Sequence, residues 1–274
     1  MSEASTIAAV SEPGTRENIA ADLRALGVRA GDVLIVHSAL SALGWVNGGP
    51  VAVIQALMDV LTPSGTLVMP AHSGDYSDPV DWAHPPVSQA WHETIRQTMP
   101  LFDPQRTPTR AMGRIAELFR TWPDVRRSVH PQVSFAAWGK EAEFVTAGHD
   151  LAYSLGESSP LARMYDLHGR ILLIGVGYNR NTSFHLAEYR APDPPLTTEG
   201  TPWLCDGERV WHEFEDVDQN EEIFSDIGRD FERQGGVTIG FVRAAECRLM
   251  AQRTAVDFAT AWLTAYRAAA KEQD

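Results

Sequence analysis

Cysteine is scarce in this chain: Cys205 and Cys247 stand far apart and outside any C-x-x-C arrangement. Their scarcity argues against a disulfide framework and a thiolate zinc site, and fits a reducing cytoplasm. Long apolar runs are missing too. The longest, Ile171 to Val176, is strand-sized, and Met1 to Gly14 has neither a basic start nor an apolar core, so neither a membrane span nor an export signal is expected. Basic charge is in deficit. The 23 Lys and Arg residues against 36 Asp and Glu give a net charge of -13, which supplies no global basic face for a nucleic-acid backbone. Three common catalytic signatures, G-x-S-x-G, G-x-x-x-x-G-K-[ST] and H-E-x-x-H, are absent.

The 274 residues present, 44% of them hydrophobic, suffice to bury a large core, and residues 1–274 are expected to form one domain. The charges are unevenly placed. Between Leu101 and His130 stand six arginines (Arg106, Arg110, Arg114, Arg120, Arg126 and Arg127) against Asp103, Glu117 and Asp124. From Asp206 to Asp226 nine acids face a single Arg209. The first segment suits a polyanion and the second a polycation, although solvated surface accounts for either one taken alone.

The hydrophobic period alternates along the chain. Thr15 caps a helix through Ile19, Leu23 and Leu26 that stops at Gly27; a buried strand follows from Asp32 to His37-Ser38. Gly48-Gly49-Pro50 opens a helix over Val51–Leu61, and Thr66–Met69 is a second strand, followed by His72-Ser73. A connection of this length predicts parallel pairing with a right-handed crossover. The stretch 74–108, rich in Pro, Asp, His and Trp, reads as an inserted loop region with one helical piece over Ser88–Thr98. Beyond it the pattern predicts helices over Met112–Phe119 and from Ser159-Pro160 to His168-Gly169, an extended segment over Ser134–Trp138, and a strand over Arg170–Ile174. That strand runs into a tight turn at Gly175-x-Gly177. Asn181-Thr182 are placed to cap the next helix. A hairpin is expected about Asp206-Gly207, then a helix over Glu221–Arg233, strands over Val237–Phe241 and Ala245–Leu249, and a closing helix over Thr254–Ala269. The fold class that follows is α/β: a mixed, largely parallel central sheet with helices on both faces and a small C-terminal antiparallel portion.

Three of these strands deliver polar side chains just beyond their C-terminal ends: His37-Ser38, His72-Ser73, and Asn181-Thr182-Ser183 with His185 and Glu188. In an open parallel sheet, that is where ligands bind. His185 falls in the first turn of a helix, whose positive end favours an uncharged imidazole able to take a proton. Glu188 lies three residues on, the spacing that places both side chains on one helix face, so its carboxylate can orient the ring. A surface His/Glu pair has the same spacing. His185 and Glu188 with His72 or His130 also leave open a divalent metal and hence a metal-dependent hydrolase, and the charge map alone leaves open a non-catalytic protein that binds polycations.

Several ordered motifs resemble the aminoglycoside 3-N-acetyltransferase family. They are Val36-His37-Ser38-Ala39-Leu40-Ser41-Ala42-Leu43-Gly44-Trp45-Val46 with Gly48-Gly49, Gly65–Ser73, and Thr107-Pro108-Thr109-Arg110-Ala111-Met112-Gly113. Arg127–Pro131 leading to Ser134-Phe135-Ala136-Ala137, Gly156-Glu157-Ser158-Ser159-Pro160-Leu161, and Asn181–Glu188 complete the set. Ala39 stands where serine is frequent and Phe184 where leucine is common; neither departure removes a reacting group.

The resemblance implies a fold distinct from the GNAT acetyltransferases, acetyl-coenzyme A as co-substrate with no metal, and acetylation of the 3-amino group of 2-deoxystreptamine antibiotics, conferring resistance. It implies catalytic roles for His185, Glu188 and Thr182. It also implies a coenzyme site built from His37, Ser38, Ala39, Leu40, Ser41, Arg110, Gly113, His130 and Phe135. Direct transfer in a ternary complex then needs an oxyanion donor, for which Thr182, His37 and a backbone N–H all qualify. Asp75, Asp78, Glu157, Asp216 and Glu222 are the candidate carboxylates for a polyammonium sugar. The expected setting is a cytoplasmic monomer or homodimer with small-molecule partners only; relatives that acylate other amine-bearing metabolites leave the acceptor as the most open point.

Overall fold

The computed structural model describes residues 3–8 and 10–272. Part of Met1–Gly14 lies outside the described residues. A short helix α1 (Glu3–Ala8), which the apolar pattern does not announce, precedes α2 (Arg16–Leu26). Both expected end signals of α2 are made. The Thr15 hydroxyl accepts from the Asn18 backbone N–H while the Asn18 side chain accepts from that of Thr15, and Gly27 takes the left-handed φ of 107° that a β-carbon opposes.

Strand β1 (Val33–Ser38), helix α3 (Gly49–Leu61) and strand β2 (Thr66–Pro70) form the expected unit, with β1 and β2 parallel and Val33 opposite Thr66. Residues 74–108 hold three 3-10 turns and α4 (His92–Thr98). Then come α5 (Gly113–Phe119), β3 (Arg126–Arg127), β4 (Phe135–Gly139), α6 (Ala142–Thr146), α7 (Pro160–Asp166) and β5 (Arg170–Ile174). The chain continues with α8 (Ser183–Arg190), the strands β6 (Leu196–Cys205) and β7 (Glu208–Val217), and α9 (Phe224–Arg233). It closes with β8 (Val237–Val242), β9 (Ala245–Ala251) and α10 (Gln252–Lys271).

The main sheet has seven strands in the order β3-β4-β2-β1-β5-β9-β8. It is mixed, and its parallel part is confined to the three central strands β2-β1-β5; both flanks pair antiparallel. Strands β6 and β7 make a separate antiparallel hairpin about Asp206 and Gly207, both at positive φ as a two-residue turn of the primed type requires.

Alternation along the strands sends successive side chains to opposite faces. Leu34 and Val36 of β1 join Leu67, Met69, Leu172 and Ile174 in a core under α2, α3 and α5. Ile35, Val68, Ile171 and Leu173 point the other way, into a core covered by α6 to α10. The crossover helix α3 lies on the first face, while β5, on β1's other side, is reached through α7 on the second. Connections that leave neighbouring parallel strands toward opposite faces open a crevice beyond the strand ends.

Gly175 keeps that crevice open at β5. It has φ 62°, and an added Cβ would sit 2.1 Å from Ala42, in the turn that follows β1.

Candidate active site

The crevice is a cleft of about 950 Å3. One wall is the segment after β1, His37 to Ser41, tied to β5 by the Ala39 N–H donating to the Ile174 carbonyl at 3.0 Å. His72 follows β2; Gly113 and Arg114 open α5; Arg180, Thr182 and His185 come from the approach to α8 and its first turn; Gln219, Glu221 and Phe224 close the far side.

At the centre, His185 Nδ1 lies 2.6 Å from Glu188 Oε2. A carboxylate only accepts, so Nδ1 carries the hydrogen and Nε2 holds the free lone pair. Glu188 is only 2% exposed, yet it is fully used: its other oxygen accepts from the Asn220 N–H at 2.8 Å. One carboxylate thus fixes the ring and anchors the loop between β7 and α9. Phe224 braces the imidazole edge to face, with centroids 4.8 Å apart. The expected side-chain cap of α8 is not made. Neither the Thr182 nor the Asn181 side chain accepts a backbone N–H as a cap; instead the Phe184 and His185 N–H groups donate back to the carbonyls of Asn181 and Thr182 at 3.0 Å, and Thr182 lines the cleft.

Two further imidazoles flank His185. Burial, reinforced by the neighbouring His185, pushes His37 down to about 3, and burial with His185, His37, His130 and Arg127 nearby does the same to His72. Both therefore stay uncharged at neutral pH.

The coenzyme residues expected from the sequence divide into two groups. His37, Ser38, Ala39, Leu40, Ser41 and Gly113 line the cleft; Arg110, His130 and Phe135 do not. Arg110 leans instead on Asp75, 3.9 Å away. His130 is a buried scaffold: Nδ1 accepts from the Gln132 and Val133 N–H groups, Nε2–H donates to the Leu151 carbonyl at 3.1 Å, and burial holds it at about 4. Phe135, fully buried in β4, packs against the His72 ring with centroids 5.3 Å apart.

Most of the basic segment is likewise taken up in contacts within the chain. Arg120 pairs with Glu117, Arg106 with Asp103 and Arg126 with Glu143, while half-buried Arg127 donates to Ser73, Ser134 and the carbonyls of Ala71 and Thr107. Arg114 alone of the six reaches the cleft, where it is joined by Arg180, a residue that no local motif singles out although it closely follows the Gly175-x-Gly177 turn.

None of the five carboxylates expected at the sugar lines the cleft. Asp78 grips Arg96 with both oxygens at 2.8 Å, and Glu157 grips Arg190. Asp216 is buried under the Tyr189 hydroxyl and the Val217 N–H, Asp75 faces Arg110, and Glu222 is exposed; its equally exposed neighbour Glu221 is the one that lines the cleft. A carboxylate outside the expected set, Glu199 on β6, is pushed up to about 7 by burial together with the nearby Asp81 and Asp216. Among the described residues no three His, Cys, Asp or Glu side chains are gathered as a metal ion requires, and no helix is long and apolar enough to cross a membrane.

The family model described as Aminoglycoside 3-N-acetyltransferase matches residues 35–264, a span that holds the whole sheet except the start of β1. The chain belongs to the aminoglycoside 3-N-acetyltransferase family and is an acyltransferase. It is 47% identical over 251 residues to the SPbeta prophage-derived aminoglycoside N(3')-acetyltransferase-like protein YokD of Bacillus subtilis, covering 91% of this chain and 92% of that protein. The crystal structure of YokD superposes with a TM-score of 0.94 at 44% identity, covering 95% and 97% of the two chains. Aminoglycoside N(3)-acetyltransferase III of Pseudomonas aeruginosa is 38% identical over 92% of this chain and 94% of its own length. A structure of AAC-IIIb in binary complex with CoASH matches with a TM-score of 0.82 at 34% identity, covering 92% and 97%.

Proposed function

We propose that this chain transfers an acetyl group from acetyl-coenzyme A to the 3-amino group of 2-deoxystreptamine aminoglycosides, by direct attack with both substrates bound. The observation that carries this reading is the His185–Glu188 pair, 2.6 Å apart, with the imidazole on the cleft and its carboxylate buried behind it. Such a ring has its Nδ1–H committed and its Nε2 free to accept a proton, the arrangement a general base requires.

Attack forms a C–N bond and moves the carbonyl pair onto oxygen. His185 takes the amine proton; collapse restores the C=O, breaks the C–S bond and returns a proton to sulfur as free thiol. Glu188 stabilises the imidazolium between those steps. Two guanidinium groups with no ion-pair partner among the described residues, Arg114 and Arg180, suit the coenzyme's phosphates, with the residues from His37 to Ser41 and Gly113 along its thioester arm. The N-terminal end of α3, with Gly49 on the cleft, adds a positive dipole to that side. Glu221 is the carboxylate placed to meet a substrate ammonium group, and Thr182 lines the cleft beside the base.

The test is thiol release from acetyl-coenzyme A across a panel of aminoglycosides, with the product assigned by NMR. Acetylation at N3 supports the reading. Thiol release only with simpler amines would move the chain to another acceptor, and no release with any amine would refute the activity.

A further inference from the structure

The unused imidazoles beside the base pose a chemical problem. His37 is 8% exposed and His72 mostly enclosed, and both line the cleft. Each has a fully buried Nε2 with no hydrogen-bond partner, and neither ring donates to or accepts from any described protein group through Nδ1. A buried N–H without an acceptor is costlier than a bare lone pair in apolar surroundings, so the hydrogen belongs on the nitrogen that can meet a ligand. Enclosure of Nε2 leaves Nδ1 for that purpose.

The rings come from the C-terminal ends of β1 and β2, adjacent parallel strands, and both lie close enough to His185 to feel its charge. Phe135 fixes the tilt of the His72 ring.

Resting on the acetyl-transfer reading above, we infer that His37 and His72 are catalytic residues that present a pair of Nδ1–H donors to the thioester carbonyl oxygen, opposite the base. When the amine forms the C–N bond, the carbonyl pair moves onto this oxygen, where the two donors hold it; collapse returns the pair to C=O as the C–S bond breaks and sulfur takes the proton from His185. Donors aimed at charge that exists only during attack speed the chemical step without tightening the ground state. Burial suits the role, because a protonated imidazole at either position would stand against the imidazolium that His185 becomes.

The test compares substitutions at each position in the full-length protein, measuring kcat, coenzyme A affinity by calorimetry, and the pH dependence of kcat between pH 6 and 9. Leucine removes the donor, asparagine places an amide N–H near Nδ1, and glutamine places one near Nε2. His37→Leu and His72→Leu are expected to lower kcat by roughly 10²–10³-fold, with coenzyme affinity within about twofold. Asparagine should recover kcat to within about tenfold of wild type, and glutamine should not. Because neither ring titrates in this range, the loss should be the same factor at every pH.

Leucine variants with near-wild-type kcat would overturn the inference, as would glutamine rescuing where asparagine fails, or a loss that changes with pH. If leucine prevents folding, the asparagine and glutamine pair decides. Failure here is separable from failure of the acetyl-transfer reading, which would show as an inactive wild-type protein or a fully active His185→Ala.

Discussion

Glu188 is the residue on which the site's geometry turns, since it holds both the His185 ring and the Asn220 N–H. Glu188→Gln keeps an acceptor for Asn220 but offers His185 an N–H where the carboxylate stood, so the ring loses its fixed tautomer and its counter-charge. The expected outcome is a kcat about 10²–10⁴-fold lower with the coenzyme Kd unchanged within about twofold, read by steady-state kinetics and calorimetry. A parallel rise in Kd would place Glu188 in binding instead. The pair was legible in the sequence because i,i+3 spacing on a helix after a strand end has few geometric outcomes. The Asn220 bond was not, since 32 residues separate the partners and no local pattern encodes the contact. The same limit hid the fate of His130: its neighbours in sequence resemble a binding motif, but its ring nitrogens are all taken by backbone groups.

Among the elements, those with a strong period or a firm stop were readable, and those without were not. α2, with its capping box, apolar stripe and Gly27, stands where the pattern placed it. β6 and β7 run ten residues each; the outer part of β6, Leu196 to Glu199, is mostly polar and at most partly buried and carries no apolar signal, whereas Phe214 and Val217 of β7 are buried. Charge density along the chain proved a weaker guide than periodicity. Most arginines of the basic segment are taken up by carboxylates and carbonyls within the protein, and among the described residues Arg114 at α5 and Arg180 before α8 line the cleft. Arg114→Ala and Arg180→Ala are each expected to weaken coenzyme A binding by about tenfold and to flatten its salt dependence, as loss of a charge-assisted phosphate contact does. Calorimetry at low and high salt checks this; unchanged affinity would move the phosphates elsewhere.

Across the whole molecule, the central strands β2-β1-β5 gather three polar strand ends into one cleft, while the buried titratable groups make stability depend on pH. Glu199, raised to about 7 from an ordinary 4.5, binds its proton more tightly folded than unfolded, so its contribution favours folding below about pH 4.5 and is lost as pH rises through 7. His37, His72 and His130 act in the opposite sense: held between about 3 and 4, they favour folding above 6.5, and that support is lost as pH falls toward their folded values. Glu199→Gln is therefore expected to raise stability by on the order of 1–3 kcal/mol at pH 8 and by little at pH 4, measured by urea unfolding at both. An equal effect at the two pH values would contradict this origin.

The most direct test of the account is a single-turnover measurement of acetyl transfer in His185→Ala, with coenzyme A affinity measured on the same protein. A rate lower by about 10²–10⁴-fold, with affinity kept, is expected if this imidazole accepts the amine proton. Transfer at the wild-type rate would contradict it and remove His185 from the mechanism.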